Sequence, residues 1–354
     1  MKKLLIVLLR RIFFQKMRIK YNPSKDQPLS DSSFFHQVII PIYISSNEEF
    51  HRDSFKILKI CLQSLFKTCH SKTFFTCVNN GSKIEVRNYL DDLFDQGIIH
   101  EVIHTENIGK INSILKGLKG HDFDFVTVTD SDVLFLNGWQ EECYEMFTSF
   151  KKLGALSTCP NPKLLKFHTW NVIFEYLFSW NLKFSKVIDP EGLKQFAHSI
   201  SNFDLFKPCH YEKNLALHLN GKTGVLGAGH FVLTYRKEIF QKLALHSVNY
   251  KLGGNSEGFL DELTSITGCW RLATSKSFSL HMGNIEEPWM SENLEKIFSN
   301  QSKIMDVNLP ELKESSSLKV FFANKVLSRI LSIDFVFRLF LEFKGLDKKY
   351  ISSY

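Results

Sequence analysis

Apolar positions in the first half of the chain alternate between two spacings. "HQVIIPIYI" (36–44), "TFFTCV" (73–78), "IIHEVIH" (98–104) and "DFVTVTDSD" (124–132) are short runs rich in β-branched and aromatic residues, the pattern of buried strands. Between them, residues 49–70 place Phe55, Leu58, Ile60, Leu62, Leu65 and Phe66 at broadly helical spacing. "SKIEVRNYLDDLFDQG" (82–97) reads as a helix ended by Gly97, and "TENIGKINSILKGLKG" (105–120) as a loop opening a third helix. The alternation predicts an α/β fold, with a mostly parallel sheet and helices on both faces.

Beyond that the pattern loosens. Residues 141–220 are rich in Phe and Trp and mixed in spacing, and they predict no clear element order. "GVLGAGHFVLTYRKEIF" (224–240) returns to a Gly-rich turn, a strand and a helix start. Residues 318–343 have a broad apolar face whose polar positions shift register near Asp334, which predicts an amphipathic tail of two short helices or one bent helix. Such a face is expected to pack on the domain or to meet a membrane or partner. The expected division is a basic segment at 1–33, a main domain at 34–300 and the tail at 301–354.

Charge sharpens this division. The chain of 354 residues has a net charge of +7, and residues 1–25 hold eight Lys or Arg and no acid, so residues 26–354 come to 7 − 8 = −1. A nucleic-acid binder would spread basic residues over one face of its fold, so no nucleic-acid partner is expected. The apolar run Leu4–Leu9 is short for a signal peptide or a membrane span, and the segment suits an anionic membrane surface or a docked helix. Seven cysteines with no C-x-x-C spacing argue against a disulfide framework or a zinc site, and predict reduced thiols in a cytoplasmic protein.

The chemistry is expected where "VTVTDSDVLF" ends a strand in Asp130 and Asp132. Carboxylates are costly to bury unpaired. In an extended segment the two would point the same way, which makes a hard-oxygen site for Mn²⁺ or Mg²⁺. A lone D-x-D also occurs in solvated strand-end turns. Ligands of such sheets bind outside the carboxyl ends of the strands.

Here the sequence resembles the glycosyltransferases of the GT-A fold, most closely the inverting group called family 2. "VIIPIY" is similar to that family's first strand, "CVNNGS" to its V-D-N-G-S turn, "NIGKINSILKGL" to its N-x-G-k loop and "VTVTDSDVLF" to its D-x-D strand, in order over residues 36–140. The resemblance implies that Pro41, Tyr43 and Asn79 border the base and ribose of a nucleotide-sugar donor. It places Asn107, Gly109 and Lys110 near the ribose and diphosphate, and Asp130 and Asp132 on the nucleotide and metal. Where the family has Asp, this chain has Asn79.

Downstream, "EGFLDELTSITGCWRLA" (257–273) looks like the family's acidic motif in shortened form. It implies a catalytic base at Asp261, with Glu262 as the alternative, both at the front of a helix. Acids in a first helical turn also occur simply to complement the helix dipole. "SFSLHMGN" (277–284) implies His281 as a third metal ligand, and "GAGHF" (227–231) implies acceptor contacts at Gly227, Gly229 and His230.

The implied activity is metal-dependent, inverting transfer of a sugar from a nucleotide diphosphate, UDP favoured, to a hydroxyl. The class suggests a glycan or lipid-linked acceptor in bacterial surface polysaccharide synthesis, with the enzyme cytoplasmic or peripheral on the inner face of the plasma membrane. Two alternatives stand beside it. One is a catalytically inactive GT-A module that binds nucleotide-sugar or glycan. The other is a sugar-1-phosphate nucleotidyltransferase, which would need a basic Gly-rich loop where this chain reads "PIYISSNEEF".

Overall fold

The computed structural model describes residues 22, 24–25, 32–45, 49–241, 255–299 and 307–354, with side chains omitted at 255–257. The basic N-terminal segment lies almost wholly outside the described residues. Residues Phe34–Tyr354 form one compact unit that includes the C-terminal tail.

Four strands build the parallel half of a ten-stranded sheet: β1 (His36–Ile42), β2 (Thr73–Asn80), β3 (Glu101–Thr105) and β4 (Phe125–Thr129), in the order β3-β2-β1-β4. Each pair is linked through a helix: α1 (Ser54–Thr68), α2 (Ile84–Asp95) and α3 (Lys110–Leu118). β1 shows why the run is nearly all apolar. It sends Val38, Ile40 and Ile42 into one core with α1 and α2, and Ile39 into a second core with Ile111, Ile114 and Leu115 of α3. A strand covered on both faces needs apolar residues at consecutive positions, and each fully buried one contributes about 1.5–3 kcal/mol.

β4 leads through a turn into β5 (Val133–Phe135), which leaves the main sheet, and then into α4 (Trp139–Ser149). The rest of the large sheet is mixed. It adds β6 (Leu153–Ser157), an edge meander of β7 (Leu182–Lys186), β8 (Lys213–Leu219) and β9 (Lys222–Val225), then β10 (Val232–Arg236) and β11 (Trp270–Ala273). β10 runs antiparallel between β4 and β6, which brings the loop before it, 226–231, beside the end of β4. Finally β12 (Ser279–His281) pairs antiparallel with β5 as a separate two-stranded ribbon.

Several buried polar groups of the parallel half satisfy one another. His36 bonds Tyr144 at 2.6 Å and Thr127 at 2.7 Å, and Tyr144 meets His70 at 2.7 Å. All seven cysteines are buried and none is in a disulfide. The tail comprises helix Ser317–Phe321, continued by a π-helical stretch and a final turn to Ile330, and then helix Asp334–Phe343. Its inward residues Ala323, Leu327, Leu331, Phe337, Phe340 and Leu341 are buried. Among the described residues, no helix is long and apolar enough to cross a membrane.

Candidate active site

A cleft of about 500 Å³ opens at the carboxyl ends of β1 and β4. Pro41 and Tyr43 line it from the end of β1, Asn107 and Lys110 from the start of α3, and Asp130 and Asp132 from the turn after β4. The chain crossing that follows from parallel strands thus gathers six of the residues singled out in the sequence. Phe50 and His51, which belong to none of the family motifs, also face the cleft, as do Asn80 of the CVNNGS turn and Asn284 at the end of SFSLHMGN.

Residues 130–132 form a turn and not a strand, so the two carboxylates do not share a partner as an extended D-x-D would. Asp130 Oδ1 meets Lys110 Nζ at 2.5 Å, and its backbone N–H donates to Phe231 O at 2.8 Å. Asp132 turns the other way, its Oδ2 lying 3.4 Å from His281 Nε2. The ribbon register accounts for this second pair: His281 opposes Val133, and Met282 N donates to Asp132 O at 2.8 Å. Ser199 Oγ sits 2.9 Å from His281 Nδ1 and holds the ring from behind.

Asp132 Oδ1 is buried and meets no hydrogen-bond donor. Burial pushes this carboxyl up; His281 opposes the rise, Asp130 adds to it and Lys110 opposes it. A buried carboxylate oxygen without a partner, beside an imidazole, is a donor pair suited to a divalent cation. Among the described residues no group of three or more His, Cys, Asp or Glu is placed to hold a metal by itself. Asp132 and His281 would by themselves fill only part of an ion's coordination sphere, which suits ions that also bind phosphate oxygens.

Asn79 is not on the cleft wall. It is buried, with Nδ2 and His104 Nδ1 3.0 Å apart, and its Oδ1 accepts from Ser82 N at 2.9 Å, closing the turn after β2. The neighbouring Asn80 lines the cleft instead, and its Oδ1 accepts from Ile108 N at 2.8 Å, tying β2 to the loop before α3. Gly109 is likewise behind the wall. With φ of 90° it turns the chain into α3, and its carbonyl accepts from Ser113 N and Oγ.

A larger cavity of about 970 Å³ lies beside the cleft, across the loop that Asp130 touches at Phe231. Asp261, Glu262 and His230 line it, as do Phe167, His168 and Trp170. Asp261 is not at the front of its helix. It is the last residue of helix Asn255–Asp261, and Glu262 caps the following helix Leu263–Thr267. Asp261 is buried, with Oδ1 on Arg271 Nη1 at 2.5 Å and Oδ2 3.7 Å from His230 Nδ1. Glu262 is exposed.

The buried Arg271 also donates to the carbonyls of Ala228 at 3.1 Å and Gly229 at 3.0 Å. Gly227 and Gly229 are buried and do not line this cavity, whereas His230 of the same loop does. Gly227 has a φ of 135°, and a Cβ there would lie 2.1 Å from Asn161 O, so the backbone itself needs the space. His168, held by Ser265 Oγ at 3.0 Å, is pushed down to about 4 by burial and by the Arg271 charge, and is neutral at pH 7.

The family model described as Glycosyl transferase family 2 matches residues 37–207, the segment holding β1 to β4 and the D-x-D turn. This segment belongs to glycosyltransferase family 2. The chain that carries it is similar in structure to Staphylococcus aureus TarS residues 1–349, at a TM-score of 0.41 and 11% identity over 90% of this chain and 83% of that one. It is also similar to a Pyrobaculum calidifontis mannosyltransferase in complex with GDP-Man and Mn²⁺, at 0.42 and 11% over 96% and 80%. TarS 1–349 in complex with UDP-GlcNAc matches at 0.42 and 12% over 89% and 69%. At such scores the chemistry of this family 2 segment rests on its own residues. No curated protein matches the sequence.

Proposed function

We propose that the protein transfers a sugar from a nucleotide diphosphate, UDP favoured, to a hydroxyl acceptor with inversion at the anomeric carbon. The observation that carries this reading is the unpartnered, buried Oδ1 of Asp132, set beside His281 in a cleft that Asp130 and Lys110 also line.

Pro41 and Tyr43 would bound the base and ribose, and Lys110 would meet the diphosphate. Asp132 and His281 would hold Mn²⁺ or Mg²⁺, with Asp130 alongside. The ion, when bound, neutralises charge on the leaving diphosphate. Asp261 would take the acceptor proton through Oδ2, because Arg271 occupies Oδ1 and fixes the carboxylate's orientation. The neutral His168 and the half-exposed His230 add polar contacts for an acceptor in the larger cavity. A glycan or lipid-linked glycan would be that acceptor, met at the inner face of the plasma membrane.

Calorimetric titration of UDP into the protein, with Mn²⁺ and with EDTA, tests the reading on the wild type and Asp132→Ala. Metal-dependent binding lost in the variant is expected. Absence of UDP, dTDP and GDP binding to the wild type would overturn it. A second reading, a binding module without turnover, is favoured by the ion pair on Asp261 and by Asn79 in place of Asp. Nucleotide binding without transfer or donor hydrolysis would select it.

A further inference from the structure

The C-terminal helices bury one face and leave a second apolar face uncovered. On helix Asp334–Phe343, Phe337, Phe340 and Leu341 point into the core. Phe335, Leu339 and Phe343 recur every fourth residue on the outside, and Phe335 is 69% exposed. Lys344 donates to the carbonyls of Tyr176 and Ser179 and so draws that loop to the helix end. There the Trp180 ring lies 5.7 Å from Phe343 and is itself 68% exposed. Leu318, Phe322, Ile330 and Ile333 extend the exposed set upstream. Single surface apolar residues are ordinary, but a run of this size marks an interaction surface.

Charge says what meets it. With the buried Lys344 set aside, residues 317–354 expose six Lys or Arg against three Asp or Glu, a net of +3. Residues 26–354 total −1 and residues 317–354 sum to +4 with Lys344 included, so residues 26–316 come to −1 − 4 = −5. Beyond the basic N-terminal segment, the positive charge is therefore gathered on the tail. Two copies meeting through this face would set like charges together. An anionic bilayer complements both features, taking the apolar rings at its headgroup boundary and the basic groups at its surface. The exposed indole of Trp180 at the rim suits that boundary.

We propose that this face, centred on Phe335, Leu339, Phe343 and Trp180, docks the protein on an anionic lipid bilayer. The upstream helix also lines the 970 Å³ cavity through Val320, Phe321, Asn324 and Lys325, so docking brings the cavity beside Asp261 to the lipid surface. The proposal stands apart from the sugar-transfer reading.

The test is flotation of the full-length protein on phosphatidylcholine vesicles with and without phosphatidylglycerol. It is repeated on Phe335→Ser/Leu339→Ser/Phe343→Ser, whose melting curve controls for folding. Binding to the anionic vesicles is expected, with a drop of about tenfold or more in the triple variant. Brominated lipid should quench wild-type emission more than that of Trp180→Phe. Retained binding by the triple variant, no flotation of the wild type, or no Trp180 quenching would each overturn the proposal. So would a dimer that the substitutions dissolve without any vesicle binding.

Discussion

Arg271 grips Asp261 from inside the fold, Nη1 to Oδ1 at 2.5 Å, with both side chains buried. Replacing Arg271 by Met leaves a buried carboxylate without its partner and strips the Ala228 and Gly229 carbonyls of a donor. Urea denaturation should show a loss of about 3–5 kcal/mol. Asp261→Asn keeps an acceptor for Arg271 but cannot take a proton, so its transfer rate should fall about a hundredfold or more. Glu262→Gln, on an exposed residue, should change stability by less than about 0.5 kcal/mol and leave the rate near wild type. The reverse pattern of rates would move the base to Glu262.

Lys110 and Asp132 should separate in their metal dependence. Lys110 lies on the cleft wall as a fixed positive charge, so Lys110→Met should weaken UDP binding about tenfold with Mn²⁺ and with EDTA alike. Asp132→Asn should remove only the increment that Mn²⁺ adds. Titrations of both variants under the two conditions check this.

Adjacent asparagines at the end of β2 should behave differently. Asn79→Asp restores the residue usual in the family, yet the side chain is turned to His104 and Ser82, so UDP affinity should shift by less than about twofold. Asn80→Ala orphans the Ile108 N–H and should cost about 1–3 kcal/mol of stability together with nucleotide affinity. A large affinity gain in Asn79→Asp would mean that the turn rearranges around nucleotide.

Lys344 carries a pH signature. Burial lowers its pKa from the usual 10.5 to about 8. Between those values the unfolded chain holds a proton that the folded chain has released, so stability rises with pH across that window. Below about 8 both states are protonated and that gain is absent. Lys344→Met should flatten the slope, by on the order of 2 kcal/mol once solvent screening is allowed for. Chemical denaturation from pH 7 to 10.5 measures it as the difference between the two proteins.

The parallel half of the fold was legible because its strands are covered on both faces and glycines at positive φ mark two of its helix boundaries, Gly97 after α2 and Gly109 before α3. Residues 141–220 were not, because the short edge strand β7 mixes exposed and buried positions and its neighbour β8 buries four consecutive residues with no alternation. One signal there was readable: Asn220–Gly221, both at positive φ, closes the β8–β9 hairpin. Asn79 and Asn80 could not be told apart in sequence, since adjacent strand residues face opposite ways and the pattern does not say which side holds the cleft. The buried position of Asp261 was hidden for another reason. Its partner Arg271 sits in a strand after the helix, where a charged residue gives no hint of what it reaches.

The β5–β12 ribbon sets when the site can exist at all. His281 reaches Asp132 only after the chain has passed through the mixed half of the sheet and returned to lie against β5. During synthesis the parallel strands and their cleft can assemble early, while the imidazole arrives among the last described strands. A nascent chain would therefore present the nucleotide walls before it could grip an ion, and full metal-nucleotide affinity would report that the fold had closed.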